Sequence, residues 1–386
     1  MSLGLTHMKP EHYTLPATSK IICPNVKMGK NVTIGQNVIL GGDEICIGDD
    51  VRIADGTDIR SSRIQIGAGS DIGKNVKILV ADLFEIGHAS RISDKTSIAC
   101  RRFTAKKFLY VGNDFSVGYG GTYESTSIVE LGERVALGPH TILNANHKIV
   151  MADDVGSGSY VSIWTHGFHF GHSTLDGYPL AHEGVVIDRN VWLGYHVTVL
   201  PSVSIGENTI VAACSVVSKS LPANCLAAGA PAVAKKKLQS KSLDAADSYA
   251  LLENFIQKWA IELQWKGLKT QILAHPGTIK IKSSKETAIV QIIDQDHEPS
   301  FSEACNVDGC SYIFIAPSEP YDYSSLSHQQ ENVVLFSIKK REISGVRREI
   351  AEDLRDFLRR HTLSCGDDKV FSSIEPIVFQ RLRSMV

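Results

Sequence analysis

Between Ile187 and Val217 an aliphatic residue recurs every six positions without a break: Ile187, Leu193, Val199, Ile205, Val211 and Val217. Four positions after each aliphatic stands another β-branched or small residue, at Val191, Val197, Val203, Thr209 and Ser215. A period of six fits neither the helical 3.6 nor the strand period of 2. It fits hexapeptides that each lay down one short flat of a three-sided parallel β-helix. On this reading the aliphatic points inward, the small residue after it (Gly194, Gly206, Ala212) lets the chain turn a corner, and the next β-branched residue points inward again. Three flats make one coil, and stacked coils bury a single apolar column.

The same register runs earlier in the chain. It shows at Met28, Ile34 and Leu40, at Ile47, Ile53 and Ile59, at Ile66, Ile72 and Ile78, and at Ile86, Ile92 and Ile98. Each restart falls a residue or two beyond a perfect coil, so one corner per turn should carry a bulge. The insert RRFTAKKFLY after Cys100 breaks the pattern, which returns at Val111, Val117, Leu131, Leu137 and Leu143. A prism of about eight or nine coils is expected. From about 157 to 186 the hexads stop again. A stretch outside the repeat must protrude from it, and long loops in compact domains are commonly functional. This one carries His166, His169, His172 and His182 beside Trp164 and Tyr178.

The run VVIDRNVWLG with SVSIGENTIVAACSVVSKSLPANCLAAGAPA resembles the hexapeptide-repeat acetyltransferases, above all their sugar O-acetyltransferase branch. The resemblance covers roughly the first 235 residues and implies a left-handed parallel β-helix, an exception to the usual right-handed crossover. It implies transfer of an acetyl group from acetyl-CoA to a hydroxyl of a sugar or surface polysaccharide. In VSIWTHGFH it puts the catalytic base at His166, with His169 in reserve; histidine suits general-base work near neutral pH. It carries coenzyme A contacts onto Trp192, Tyr195, Ala213, Ser218, Lys219, Lys235 and Lys236, and lysine side chains are competent partners for phosphate. Trp164, His147 and Tyr178 are the candidates to hold the acceptor. Tyr195 stands where the family more often has Ser or Ala. Family members form trimers with each site between two prisms, so a homotrimer is expected.

Two other classes use such prisms. One is a γ-class carbonic anhydrase-like zinc site, for which His147, His166 and His169 or His172 would supply three ligands; the leading reading needs no metal. The other is a non-catalytic scaffold.

A net charge of −2 over 386 residues and the lack of a long basic run argue against a bulk nucleic-acid binder. No apolar run reaches the length of about 18 residues that a membrane span requires, and the N-terminus lacks the apolar core of a secretory signal. Eight scattered cysteines fit reduced thiols in a cytoplasmic protein; Cys46 and Cys214, inside hexads, are expected to be buried. The polar run after Pro231 marks a boundary, giving a β-helix domain over 1–238 and an α+β domain over 239–386 with no chemical motif of its own. A helix should run through Leu252, Ile256, Trp259 and Leu263. A second, capped by Ser344-Gly345, should run through Ile350, Leu354 and Leu358.

Overall fold

The computed structural model describes residues 13–118, 124–168, 171, 173–273, 277–293, 310–317, 332–363, 365–366 and 373–384. The chain forms two compact units that divide after Ser240.

In the first unit parallel strands stack into three faces, visited in turn by the chain. The first face climbs from Tyr13–Thr14 through Arg52–Ile53, Gly156–Ser157, Trp192–Leu193 and Ile210–Val211 to Cys225–Gly229, eleven rungs among the described residues. The antiparallel strand Ala232–Lys237 closes it. The second face has ten rungs, from Lys20–Ile22 to Val216–Val217, and the third has nine, ending at Ser204–Ile205. Nine turns are therefore complete, as the hexads predict.

The six-residue period is expressed as expected. Ile187, Leu193, Val199, Ile205, Val211 and Val217 are at most 1% exposed, and so are Val191, Val197, Thr209 and Ser215. Burying each aliphatic side chain is worth about 1.5–3 kcal/mol, and the column they build is continuous.

The corners work differently from the expectation. The glycine after each aliphatic does not make the bend. A Cβ on Gly194 would lie 2.5 Å from the backbone N of Ala213 one coil further, and on Gly206 2.4 Å from that of Ala223. Glycine there lets consecutive coils lie against each other. The bend itself falls three residues after the aliphatic, at left-handed residues such as Asn190 (φ 56°), His196 (φ 58°), Asn208 (φ 56°) and Cys214 (φ 58°). That conformation costs an L-residue roughly 1–2 kcal/mol, and asparagine tolerates it best. The asparagines also form a ladder up one edge: Asn190 Nδ2 donates to Asn208 Oδ1 at 3.0 Å, and Asn208 Nδ2 donates to Asn224 Oδ1 at 3.1 Å.

Three long strands, Asp58–Ile66, Lys77–Ile86 and Ser97–Ala105, supply both the second and the third face, and the middle one is a residue longer than its neighbours, with a register shift against both between Val80 and Leu83. That shift accounts for the one restart that lies two residues beyond a perfect coil, Ile78 to Ile86, where Ile59 to Ile66 needs only one. The stretch read as an insert after Cys100 belongs to the prism: Phe103 is fully buried and stacks on Phe84, with centroids 5.8 Å apart. Aromatic rings replace aliphatic ones inside these coils and hide the hexads. The gap read over 157–186 also shrinks, because Ser157, Val161 and Ile163 are buried and Ser162–Trp164 is a rung of the second face. Among the described residues of that gap, the strand pair His166–Phe168 and Leu180–His182 lies off the three faces.

Cys214, at a corner, is exposed and Cys46 is half-buried, contrary to expectation, whereas Cys100 is buried. Burial pushes the Cys100 thiol up to about 12. Because the thiolate is the nucleophile, a thiol reagent at pH 8 should label Cys214 promptly and Cys100 only after unfolding, as peptide mapping by mass spectrometry would show.

The second unit is a six-stranded mixed sheet in chain order, Lys269–Ile272, Thr278–Lys282, Thr287–Ile292, Cys310–Ala316, Val333–Ser337 and Glu342–Gly345. The three central strands are parallel and the outer pairings antiparallel. The helices Ala245–Trp265 and Glu349–Arg360 contribute Leu252, Ile256, Trp259, Leu263, Leu354 and Phe357 to a core shared with Ile281, Val290, Ile313 and Phe336. Ser344-Gly345 ends a strand and caps nothing. Instead Glu286 Oε1 accepts from the backbone N of Ile350 at 2.6 Å, so a carboxylate from another element satisfies one of the helix's open N–H groups. Inside this unit Asp353, fully buried, accepts from Trp259 Nε1 (2.8 Å), Lys266 Nζ (2.7 Å) and the backbone N of Ile374 (2.7 Å).

Candidate active site

The corner between the second and third faces gathers the chemistry-bearing side chains. Three consecutive coils reach it, through Gly118 and Glu124, through residues 144–148, and through the strand pair His166–Phe168 and Leu180–His182. Stacking sets Asn144 beside Trp164 in register, so residues some twenty positions apart in sequence become neighbours.

His166 opens the excursion, in the strand His166–Phe168 that pairs antiparallel with Leu180–His182. Its Nδ1 lies 2.7 Å from Asn144 Oδ1. Asn144 is fully buried, and its Nδ2 donates to the carbonyl of Gly118 at 3.1 Å. With the amide nitrogen committed to a carbonyl, Oδ1 must be the atom facing the ring. The His166 Nδ1–H therefore donates to it, and in the neutral ring Nε2 is the basic nitrogen. Trp164 meets the ring edge-on, with centroids 6.3 Å apart.

Thr165 anchors the departure point. It is fully buried; its Oγ1 donates to the carbonyl of Asn144 at 2.7 Å and accepts from the backbone N of His147 at 2.9 Å. His147 Nδ1 accepts from the backbone N of Lys148 at 2.9 Å, which puts the proton of the neutral ring on Nε2. The edge of His147 faces His182 at 5.7 Å, and His182 Nε2 approaches Glu124 Oε2 to 2.8 Å. That last contact is close but lacks hydrogen-bond alignment. It ties the returning strand of the excursion to a coil two below.

Of the residues singled out in sequence, His166, Trp164 and His147 are thus brought together. Tyr178 stands 39% exposed beyond the single turn Thr174–Asp176. His169 and His172 lie outside the described residues. Among the described residues no three His, Cys, Asp or Glu side chains are placed to hold a metal ion.

The seven candidate cofactor contacts fall in three places. Ser218 and Lys219 sit on the His166 corner two coils further along, roughly 10 Å at one strand spacing per coil. Tyr195 and Ala213 lie on the corner between the first and second faces. There Tyr195, 52% exposed, meets Tyr160 at 5.8 Å and His196 at 5.7 Å. Trp192 projects from the first face, 48% exposed, and Lys235 and Lys236 lie exposed on the strand that closes that face.

Sequence reasoning missed Asn144, Glu124 and the anchoring role of His182. Asn144 did leave a signal: it directly follows the inward Leu143, a slot filled by glycine after Val117 and Leu137. A polar amide in a small-residue slot is out of pattern.

The family model for the bacterial transferase hexapeptide (six repeats) matches residues 184–219. A putative acetyltransferase of Schizosaccharomyces pombe is 32% identical over 34% of this chain and 55% of its own length. The galactoside O-acetyltransferase of Escherichia coli is 28% identical over 32% of this chain and 51% of its own. The chain thus spans about half the length of these two relatives. A third, the putative lipopolysaccharide biosynthesis O-acetyl transferase WbbJ of Escherichia coli, is 30% identical over 33% of this chain and 75% of its own length. Since the similarity to that third relative runs over three quarters of it, and the repeat register continues through nine turns of this solenoid, the chain belongs to the hexapeptide-repeat acetyltransferase family.

Proposed function

We propose that this protein transfers an acetyl group from acetyl-CoA to a hydroxyl of a sugar or surface polysaccharide, with His166 as general base. The observation that carries the proposal is the Gly118–Asn144–His166 chain of hydrogen bonds. It holds the imidazole in the tautomer whose Nε2 can accept a proton, at the start of the excursion that follows Thr165. His166 takes the proton of the acceptor hydroxyl as its oxygen attacks the acyl carbonyl, and returns that proton to the departing thiolate. Asn144 positions the ring; its amide neither gains nor loses a proton in the reaction. Trp164 and His147 flank the acceptor, with Tyr178 further out on the excursion.

Acetyl-CoA would supply the activated acyl group. The residues present suit it in part: Ala213 keeps one corner shallow for a thin chain, while Lys219, Lys235 and Lys236 offer exposed positive charge for phosphates. Because these contacts fall on separate edges of one prism, the reading favours a homotrimer in which neighbouring prisms complete each site. No helix among the described residues is long and apolar enough to cross a membrane, and a cytoplasmic site of action agrees with the use of acetyl-CoA.

The test is release of free thiol from acetyl-CoA over a panel of sugars and oligosaccharides, with wild type and Asn144→Ala side by side. An acceptor-dependent release by wild type is expected. Losing a positioning hydrogen bond to the base should cost about 10–100-fold in kcat with a much smaller change in KM. A variant as fast as wild type on a genuine acceptor would remove Asn144 from the mechanism. No acceptor-dependent release from any hydroxyl compound would count against the proposal itself.

A further inference from the structure

We propose that the C-terminal unit carries a second binding site, a pocket for a phosphate-bearing organic ligand, in a part of the chain for which sequence reading found no chemical motif. The pocket has a volume of about 380 Å³ and lies among the end of the helix Ala245–Trp265, the strands Lys269–Ile272 and Thr278–Lys282, and the segment around Ile374 and Ile377. That volume suits a small ligand of sugar-phosphate size.

Four lysines line the pocket, Lys266, Lys269, Lys282 and Lys285, against one carboxylate, Glu349. Lys269 and Lys282 stand directly opposite each other on adjacent antiparallel strands, and Lys285 follows on the same rim. Cross-strand neighbours lie about 5 Å apart at Cβ, where like charges destabilise the pairing. Lys266, at the base, is committed to Asp353 and Glu262, and Lys285 is met by Glu349 at 3.2 Å across an exposed contact. Among the described residues no carboxylate pairs with Lys269 or Lys282. Two facing ammonium groups beside a cavity form an arrangement that a dianion relieves, and lysine binds phosphate as a point charge from several directions. Leu268, Ile374 and Ile377 give the pocket an apolar side, so the ligand carries a carbon part as well as the phosphate. The inference stands on the C-terminal unit alone and holds whether or not His166 is a base.

Isothermal titration of the full chain at constant ionic strength tests it, with inorganic phosphate, glucose 1-phosphate and a nucleoside monophosphate as separate probes. Saturable binding of at least one organic phosphate is expected, tighter than that of inorganic phosphate. The double variant Lys269→Gln/Lys282→Gln, with both side chains exposed and outside the core, should weaken that binding by about tenfold or more. The control Lys27→Gln/Lys30→Gln, which removes the same charge from the first coils, should stay within about twofold. The site is overturned if the Lys269/Lys282 variant binds as wild type does, or if both pairs weaken binding equally. It is equally overturned if no organic phosphate outbinds inorganic phosphate, since the apolar wall would then have no part in recognition.

Discussion

His166→Ala should lower kcat/KM for acetyl transfer by about 10²–10⁴, the usual worth of a positioned general base. Coenzyme A binding, measured by calorimetry, should stay within about twofold, because on the proposed mechanism the ring serves the acceptor and the nearest proposed contacts, Ser218 and Lys219, lie two coils away. The fold should survive, since His166 is the first residue outside the repeat and Thr165 makes the buried bonds that anchor the excursion. Circular dichroism would register any wider damage. His182→Ala is the informative companion. It loses the contact to Glu124 and with it some hold on the returning strand, so a smaller loss of rate, spread over kcat and KM, is expected. If His166→Ala retains wild-type turnover on an acceptor that wild type accepts, the base is another residue, and His169 becomes the first to try.

The second large effect concerns stability. Asp353→Ala should cost the C-terminal unit about 3–5 kcal/mol, the usual cost of removing one partner from a buried ion pair. Three donors converge on that carboxylate, and the variant takes an acceptor from each: the indole N–H of Trp259, the ammonium of Lys266 and the backbone N–H of Ile374. Lys266 keeps only Glu262, at 2.8 Å. Guanidinium unfolding followed by tryptophan fluorescence, with Trp259 fully buried in the native unit, reads the loss. A change below about 1 kcal/mol would mean that water or a neighbouring group reaches Lys266 and that the triad is not insulated. Asp353→Asn should fall between, keeping an oxygen for one or two donors but no charge for the lysine.

How legible was this molecule in its sequence? The solenoid could be read because hexads repeat the same physical demand at every turn, and each of Ile187 through Val217 is buried where the period puts it. The reading failed where a turn met the demand with different atoms. Phe84 and Phe103 fill the interior in place of aliphatics, and Ser157 takes an inward slot near the excursion. The corner was assigned to the wrong residue because glycine signals conformational freedom most loudly. Here its missing Cβ serves coil-to-coil contact at Gly194 and Gly206, while asparagine and even His196 and Cys214 take the left-handed turn. At the site, His166 could be singled out from its local motif, but Asn144 could not, because only coil stacking brings two residues 22 positions apart to 2.7 Å. In the C-terminal unit the helix stripes and strand runs were visible. The Lys269–Lys282 pairing depends on strand register, which no local pattern in KGLKTQI reveals.

The asparagine ladder and the close coil contacts at Gly194 and Gly206 have a consequence for how such a chain can change. Every rung is keyed to the one beneath it, so length variation is quantised. Gain or loss of one whole turn slides everything above it along the rod as a block and preserves each vertical neighbour. Gain or loss of a single residue within a flat turns an inward valine toward water, and is absorbed only where a bulge takes it up, as between Val80 and Leu83. Asn144 and His166 belong to adjacent turns, so natural variants that differ in rod length should add or drop whole turns outside that pair.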